Sequence, residues 1–446
     1  MNSYFASVEQ QANPHLRGRP LGVCAYLHRQ GCVIAASIEA KRMGMKVGMT
    51  MEEAKASCPS AVFVQNDPPK YRAVTSRVFS IFHELTDRVE HYSIDEAFLD
   101  LTGWYRDAAE AAWALTRARV RIRDEVGEWL RCSIGIAPTR FLSKTASDIE
   151  KPNGLVIIDY GNLDDILSRL ELEDVCGIGP RIRKRLERAG IRTLLELKRY
   201  PVANLIRLFG VYGFYLWCRL HGMEFEKVRT GEETPPKTIG HSYCVPNRVN
   251  REGRAVAVFT RLVERAARRM RRQGLLAGVV SVAVGFRPIL RGAVATAPIS
   301  FTNPYDEGAS DWVRLDEPAA DSFTLVGAAC DLLREMWSGE RINFLAVTLS
   351  EFSEPTNQMQ LPVGAPTECR TSYLAPRTSS DQVPSTKYEV RRATDRKRLA
   401  SDAADLIRDR YGDEAIMFGS MLGADDHAPD RIGFRKVGDL ELTHLP

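Results

Sequence analysis

The sequence has no long apolar run and no ordered pattern of cysteines. Its nine cysteines are scattered, odd in number and never spaced Cys-x-x-Cys, which disfavours both a zinc site and a disulfide framework. No apolar stretch approaches the roughly 18 residues of a membrane-spanning helix. The N-terminus also lacks a basic segment followed by an apolar one, the pattern of a secretion signal. These absences disfavour membrane and disulfide-stapled secreted proteins and predict a protein of the reducing cytoplasm.

A strong charge of one sign is missing as well. Lys and Arg number 61 against 57 Asp and Glu, which leaves a net charge of +4. A nucleic-acid partner would therefore have to bind at local clusters of positive charge rather than through a general excess. The 446 residues are enough for about three domains, and no solenoid repeat is present.

Strand and helix signals alternate in the first half of the chain without a strict repeat, which is typical of an α+β domain. Predicted strands lie at 31–36, 89–94, 97–101 and 132–136, and predicted helices at 39–44, 70–87 and 107–128. From Leu163 to about Gly222 the pattern changes to short helices separated by glycines. A helical region therefore follows the mixed one.

The second half begins with a Thr-Pro-Pro linker composition within residues 223–240. Apolar residues from Phe259 to Met270 mark one face of a helix, and a second helix is predicted near 321–337. Strand-like runs at 278–286, 293–301 and 342–350 complete a βαββαβ-type unit. After about residue 354 the chain is rich in Pro, Ser, Thr and Gln, which predicts a largely flexible tail with one short helix at Ala400–Tyr411.

Two adjacent carboxylates, Asp95 and Glu96, lie between the predicted strands 89–94 and 97–101. Neighbouring side chains of a regular strand point to opposite faces, so the pair converges only if a turn bends the chain there. Converging carboxylates repel each other unless a cation lies between them. Hard oxygen ligands suit Mg²⁺, which takes substrate phosphates and waters as further ligands. The alternative is a solvated turn without a site.

Four motifs decide between these alternatives when they are taken in chain order. They are Met-Asn-Ser-Tyr-Phe-Ala-Ser-Val-Glu (1–9), Gly-Cys-Val-Ile-Ala-x-x-x-Glu-Ala-Lys-x-x-Gly-x-Lys-x-Gly (31–48), Ser-Ile-Asp-Glu-Ala-Phe-Leu-Asp (93–100) and Lys-Pro-Asn-Gly (151–154). Together they resemble the Y-family DNA polymerases, the DinB/UmuC-type translesion enzymes, over about residues 1–353. The resemblance implies a template-directed, low-fidelity DNA polymerase that uses dNTPs and primer–template DNA during DNA repair and damage tolerance.

The resemblance also implies a right-hand polymerase architecture of the α+β class. The implied domains are a palm and fingers at 1–162, a helical thumb at 163–228, a linker at 229–237, a βαββαβ little finger at 238–353 and a tail at 354–446. The implied assembly is a monomer.

At the positions of this sequence that match the family's motifs, the resemblance implies that Asp95 and Glu96 are the catalytic carboxylates and hold two Mg²⁺ ions. Phe5 matches the steric gate, an aromatic ring that leaves no room for a ribonucleotide 2′-hydroxyl. The implied nucleotide-binding residues are Ser3, Tyr4, Phe5, Lys41, Tyr71 and Lys151. The alternatives are core aromatics for Tyr4, Phe5 and Tyr71, and a solvated helix face for Lys41.

The sequence departs from the family pattern in two places. The family places a metal-binding aspartate, at the end of the first strand, immediately before the residue that matches Met1. Two readings follow: a chain that extends upstream by a strand ending in aspartate, or a catalytically impaired accessory protein that binds DNA and a clamp or partner polymerase. DinB-like members also carry Tyr and Arg where this chain has Ile38 and Lys41.

Two further segments are predicted to bind macromolecules. The run Val175–Pro180 is read as the turn of a helix-hairpin-helix, whose glycines let the backbone approach a DNA phosphate. The predicted DNA-binding residues are Gly177, Gly179, Arg181 and Lys184; the alternative is a tight turn between packed helices. The tail segment Gln358–Val363 resembles clamp-binding peptides of bacterial polymerases, with Gln358 and Leu361 as anchors for a sliding clamp.

Overall fold

The computed structural model describes residues 1–29, 31–223, 225, 227–229, 236–249, 252–286, 308–355 and 387–421. The chain divides into two units. The first holds the described residues from Met1 to Arg229, and the second holds those from Pro236 to Met421.

The first unit begins with a mixed α/β region that contains most of the predicted elements. Its strands are β1 (Leu21–Cys24), β2 (Val33–Ala36), β3 (Val62–Gln65), β4 (Val89–His91), β5 (Ala97–Leu99), β6 (Ile134–Ile136) and β7 (Leu155–Ile157). Its helices are α1 (Tyr4–Ala12), α2 (Ile38–Arg42), α3 (Met51–Ser57), α4 (Pro68–His83), α5 (Ala108–Arg121) and α6 (Arg140–Ile149). A π-helical turn at Ile122–Val126 continues α5.

Three small sheets organise this region. β1 lies between β2, to which it is antiparallel, and β3, to which it is parallel. Every residue of β1 and β2 is buried, as their continuous apolar sequences require. β4 and β5 form an antiparallel hairpin, and β6 pairs in parallel with β7 after the intervening helix α6. The predicted hairpin around Asp95 and Glu96 is therefore confirmed.

Five short helices complete the first unit. They are α7 (Leu163–Arg169), α8 (Pro180–Arg188), α9 (Leu194–Arg199), α10 (Val202–Phe209) and α11 (Val211–Leu220). Leucines with no exposed surface, among them Leu186, Leu194 and Leu205, form their common core. This core gives the helices the packing that short helices need for stability in water.

The second unit contains a four-stranded antiparallel sheet in the order β10-β9-β11-β8. Its elements are β8 (Thr238–Val249), α12 (Glu252–Arg272), β9 (Leu276–Phe286), β10 (Gly308–Ala319), α13 (Ser322–Met336), β11 (Ile342–Ser353) and α14 (Lys387–Tyr411). The first six run in the predicted order, strand, helix, strand, strand, helix, strand. The predicted strand at 293–301 lies outside the described residues, and the described third strand is β10. The apolar face predicted for α12 is fully buried.

The tail forms more helix than the sequence predicted. We expected a short helix at Ala400–Tyr411, whereas α14 begins at Lys387. Buried ion pairs attach it to α12: Arg271 donates to both carboxylate oxygens of Asp405 at 2.7 and 2.9 Å, and Arg408 of α14 pairs with Glu264. The first of these pairs gives Arg271 of α12 a partner within the unit rather than in solvent.

We expect Asp405→Ala to lower the free energy of unfolding of the second unit by about 3 kcal/mol, because removing one partner of a buried ion pair leaves the other charge uncompensated. The Arg271 side chain is only 6% exposed, and among the described residues it would keep the Ala320 carbonyl and the Ser322 hydroxyl as acceptors. Native-state hydrogen exchange of the α12 amides measures this loss. Asp402→Ala, at an exposed position of the same helix, is the matched control and should change it little. Equal effects of the two variants would contradict the assignment.

Candidate active site

The turn between β4 and β5 brings the two predicted catalytic carboxylates together. The backbone N–H groups of Tyr92 and Ser93 both donate to the Glu96 carbonyl at 3.0 Å, which closes the turn. The Ser93 hydroxyl lies 3.0 Å from an Asp95 carboxylate oxygen and 3.4 Å from one of Glu96. Both acidic groups thus converge on one hydroxyl, as the sequence predicted from the need for a bend.

The first residues of the chain connect this hairpin to two other parts of the unit. The amino nitrogen of Met1 donates to the Asp95 carbonyl at 2.6 Å. The buried Asn2 donates its N–H to the Arg131 carbonyl at 2.8 Å, and its side-chain oxygen accepts from the Asn153 N–H at 3.0 Å. Three of the four motifs recognised in the sequence therefore meet at this point.

A cavity of about 780 Å³ opens between these elements. That volume lies within the range of small-molecule sites. Its lining includes seven of the predicted site residues, namely Ser3, Tyr4, Phe5, Lys41, Asp95, Glu96 and Lys151. It also includes Arg42 and Tyr92, which the sequence analysis did not predict.

Tyr71 is the predicted nucleotide-binding residue that does not line the cavity. It has no exposed surface, and its hydroxyl donates to the Glu9 carboxylate at 2.8 Å. Its ring stacks on Phe5, with centroids 4.4 Å apart and planes inclined by 16°. Burial, together with the Glu9 carboxylate, raises the pKa of Tyr71 even though a backbone hydrogen bond opposes the shift. Tyr71 thus stands behind Phe5, between the cavity and Glu9.

Positive charge is concentrated on one part of the cavity wall. Lys41 and Arg42 come from α2, and Lys151 comes from the loop before β7. Burial and the nearby Lys151 ammonium lower the pKa of Lys41, while Asp95 acts in the opposite direction. Two ammonium groups that disfavour each other are stabilised by an anion bound between them, so this wall suits a polyphosphate.

The start of α1 adds neutral donors to the same wall. The helix begins at Tyr4, so the N–H groups of its first turn have no acceptor within the helix. Ser3 precedes it in the left-handed region with φ 48°, a strained conformation for serine. Ser3, Tyr4 and Phe5 all line the cavity, where such groups can bind an anion.

Lys144 contacts the predicted catalytic residue Glu96, and the sequence analysis did not predict this contact. It lies on α6, and its ammonium donates to a Glu96 carboxylate oxygen at 2.5 Å and to Asp148 at 3.4 Å. Burial alone would lower the pKa of Lys144, but the bonds to Glu96 and Asp148 raise it. Asp148 also pairs with Lys151 at 2.5 Å. The spacing Lys-x-x-x-Asp-x-x-Lys before Pro-Asn-Gly was the signal available in the sequence, because residues four apart share a helix face.

The donor set of the hairpin is suited to a hard divalent cation. Asp95 and Glu96 offer carboxylate oxygens beside the Ser93 hydroxyl, and Mg²⁺ binds to one or two carboxylates plus substrate phosphates and waters. Within the described ranges, no group of three or more His, Cys, Asp or Glu side chains could hold a metal ion.

The predicted helix-hairpin-helix residues lie on a second surface of the first unit. Gly177 has φ 96°, and a Cβ there would lie 2.7 Å from the Tyr212 hydroxyl, which donates to the Gly177 carbonyl. Gly179 precedes the first residue of α8, on which Arg181 and Lys184 are exposed. This geometry provides a tight glycine turn, a helix N-terminus and two exposed cations on one segment.

The remaining predicted site falls outside the described part of the chain, since Gln358 and Leu361 belong to residues that the structure does not describe. Among the described residues, no helix is both long and apolar enough to cross a membrane.

Comparison with known proteins is consistent with this geometry. The impB/mucB/samB family matches residues 1–148, and the C-terminal domain of that family matches residues 236–363. A DNA polymerase IV of Moorella thermoacetica is 37% identical over 285 residues, which cover 64% of this chain and 71% of the relative. DNA polymerase IV 2 of Mesorhizobium japonicum is 31% identical over 452 residues, which cover 99% of this chain and 97% of the relative.

A solved structure shares the fold. The Y-family DNA polymerase chimera Dbh-Dpo4(243-245)-Dbh matches with a TM-score of 0.67 at 24% identity, covering 79% of this chain and 98% of that chain. The fold is therefore that of an α+β polymerase. The chain belongs to the impB/mucB/samB family, the DinB-type branch of the Y-family DNA polymerases.

Proposed function

We propose that this chain is a template-directed DNA polymerase for translesion synthesis that binds its dNTP in the cavity beside Asp95 and Glu96. The observation that carries the proposal is the convergence of these carboxylates on the Ser93 hydroxyl, in the same cavity as Phe5 and the cations Lys41 and Lys151. The alternative of a catalytically impaired accessory protein has no support in the comparisons.

Each side chain has a role that follows from its chemistry. Asp95 and Glu96 hold two Mg²⁺ ions, which supply Lewis-acid chemistry for the attack of the primer 3′-oxygen and the departure of pyrophosphate. Lys41, Lys151 and the N–H groups at the start of α1 bind the triphosphate. Phe5 packs under the sugar and excludes a 2′-hydroxyl. Because Tyr71 is buried, it acts on the nucleotide through Phe5 rather than by contact.

The wider assignment of the chain is part of the same proposal. Residues 1–162 serve as palm and fingers, 163–228 as thumb and 238–353 as little finger. The glycine turn at Gly177 and Gly179, with Arg181 and Lys184, binds the DNA backbone independently of sequence. The segment Gln358–Val363 binds a sliding clamp, and the enzyme works as a monomer.

Mg²⁺-dependent primer extension tests the proposed function. We expect the purified chain to add the nucleotide complementary to the template, and to stop when the metal is chelated. The assay is repeated with a second form of the protein, prepared with a strand ending in aspartate added before Met1. Because the Met1 amino nitrogen lies 2.6 Å from the Asp95 carbonyl, the added carboxylate would enter beside Asp95 and Glu96. We expect this form to be at least as active. Primer–template binding without extension by either form would favour the accessory alternative.

A further inference from the structure

The Lys144 ammonium is bonded to the carboxylate of Glu96, which is a metal ligand in the proposed function. It donates to Glu96 at 2.5 Å, and the Lys144 side chain is only 19% exposed. Lys144 lies on Oε1 of Glu96, whereas the Ser93 hydroxyl faces Oε2. An ammonium and a divalent cation on one carboxylate repel each other at short range, so Lys144 opposes metal binding by Glu96 as long as it stays on Oε1.

A second acceptor for Lys144 is already in place. Asp148 lies one helical turn further along α6, 3.4 Å from the Lys144 ammonium, on the same face of the helix. Asp148 also pairs with Lys151, which faces the cavity. The charges thus form an alternating chain, Glu96, Lys144, Asp148 and Lys151, which joins the proposed metal ligand to a proposed phosphate ligand.

We propose that Lys144 is a positioning residue that takes the place of the metal ion on Glu96, and that Asp148 receives Lys144 when the ion binds. The inference rests on the proposed role of Glu96 as a metal ligand. In the absence of metal, Lys144 neutralises Glu96 and holds its carboxylate beside Ser93. Asp148 pairs with both Lys144 and Lys151. When Lys151 moves to a nucleotide phosphate, Asp148 is left with Lys144 as its lysine partner. Binding of nucleotide and binding of metal would thereby favour each other.

Titration of the full chain with Mn²⁺ alone, without DNA or nucleotide, tests the inference. Electron paramagnetic resonance measures the free ion. We expect Lys144→Met to tighten Mn²⁺ binding by about tenfold, since it removes both a competitor and a repelling charge a few ångströms away. Lys144→Arg keeps the charge and should stay within about twofold of the unmodified chain. Lys55→Met, at an exposed position on α3, is the control for a distant loss of charge.

Two further variants keep the outcomes distinct. Asp148→Asn removes the second acceptor for Lys144, so we expect Mn²⁺ binding to weaken by about threefold or more. If Lys144→Met does not fold, this variant tests the inference about Lys144 in its place. Glu96→Gln should remove the Mn²⁺ site. If Glu96→Gln has no effect, the metal-ligand role of Glu96 fails. If Glu96 matters but Lys144→Met binds Mn²⁺ like the unmodified chain or more weakly, only the inference about Lys144 is overturned.

Discussion

Asp95→Asn is expected to lower the rate of nucleotide incorporation by at least about 10³-fold, which corresponds to about 4 kcal/mol of transition-state stabilisation. The substitution removes a negative ligand from the proposed metal site but preserves the shape of the side chain. The turn should persist, because the asparagine carbonyl can still accept from the Ser93 hydroxyl that lies 3.0 Å from Asp95. Single-turnover primer extension at saturating Mg²⁺ and dNTP measures the change.

The proposal requires that this loss be confined to chemistry. DNA binding by Asp95→Asn, measured by fluorescence anisotropy on a primer–template, should stay close to that of the unmodified chain, because the predicted DNA-binding residues lie on α8 and the turn before it. Asp87→Asn is a matched control, since Asp87 is an exposed carboxylate near the start of the same hairpin. A parallel loss of DNA binding and incorporation would indicate misfolding, and full activity would remove Asp95 from the site.

The hairpin was predictable from the sequence because its cause is local. Two short apolar runs flank an acidic pair, and the chain has to turn where two adjacent carboxylates converge. The buried face of α12 was predictable for a similar reason, since helical periodicity alone identifies it. In both cases the pattern and the structure are determined within about 20 residues of chain.

Contacts between distant segments were not predictable in this way. Lys144 reaches Glu96 across 48 positions of sequence, and Arg271 reaches Asp405 across 134. Periodicity cannot distinguish a charged helix face that contacts water from one that contacts another helix. The helix α14 was therefore predicted too short, and its contacts with α12 were not predicted.

Tyr71 illustrates a different limit. An aromatic residue at helical spacing is equally consistent with a ligand and with a core position, and only the structure shows that its ring lies behind Phe5. Its hydroxyl, Lys70 and Glu9 form one polar group: the Lys70 ammonium lies 2.9 and 3.1 Å from the Glu9 carboxylate oxygens. This group fixes the Tyr71 ring and so limits how far the Phe5 ring can move away from the cavity.

Phe5→Ala is therefore expected to raise the efficiency of ribonucleotide incorporation, relative to deoxyribonucleotides, by about 10²-fold, the scale on which a pocket discriminates a single added hydroxyl. The Phe5 ring cannot retreat from a 2′-hydroxyl, because the buried Tyr71 ring stacks on it at 4.4 Å. Removing the ring opens the space that the hydroxyl needs. The measurement is kcat/KM for matched pairs of rNTP and dNTP on one template.

The matched control is Tyr71→Phe, which keeps the stacked ring but loses the 2.8 Å bond to Glu9. We expect it to relax sugar discrimination far less than Phe5→Ala, because the ring behind Phe5 remains in place. Incorporation of dNTPs by Phe5→Ala should fall only a few-fold, since the carboxylates and the cationic wall are unchanged. Unaltered sugar discrimination in Phe5→Ala would show that Phe5 is a core aromatic and that another group excludes ribonucleotides.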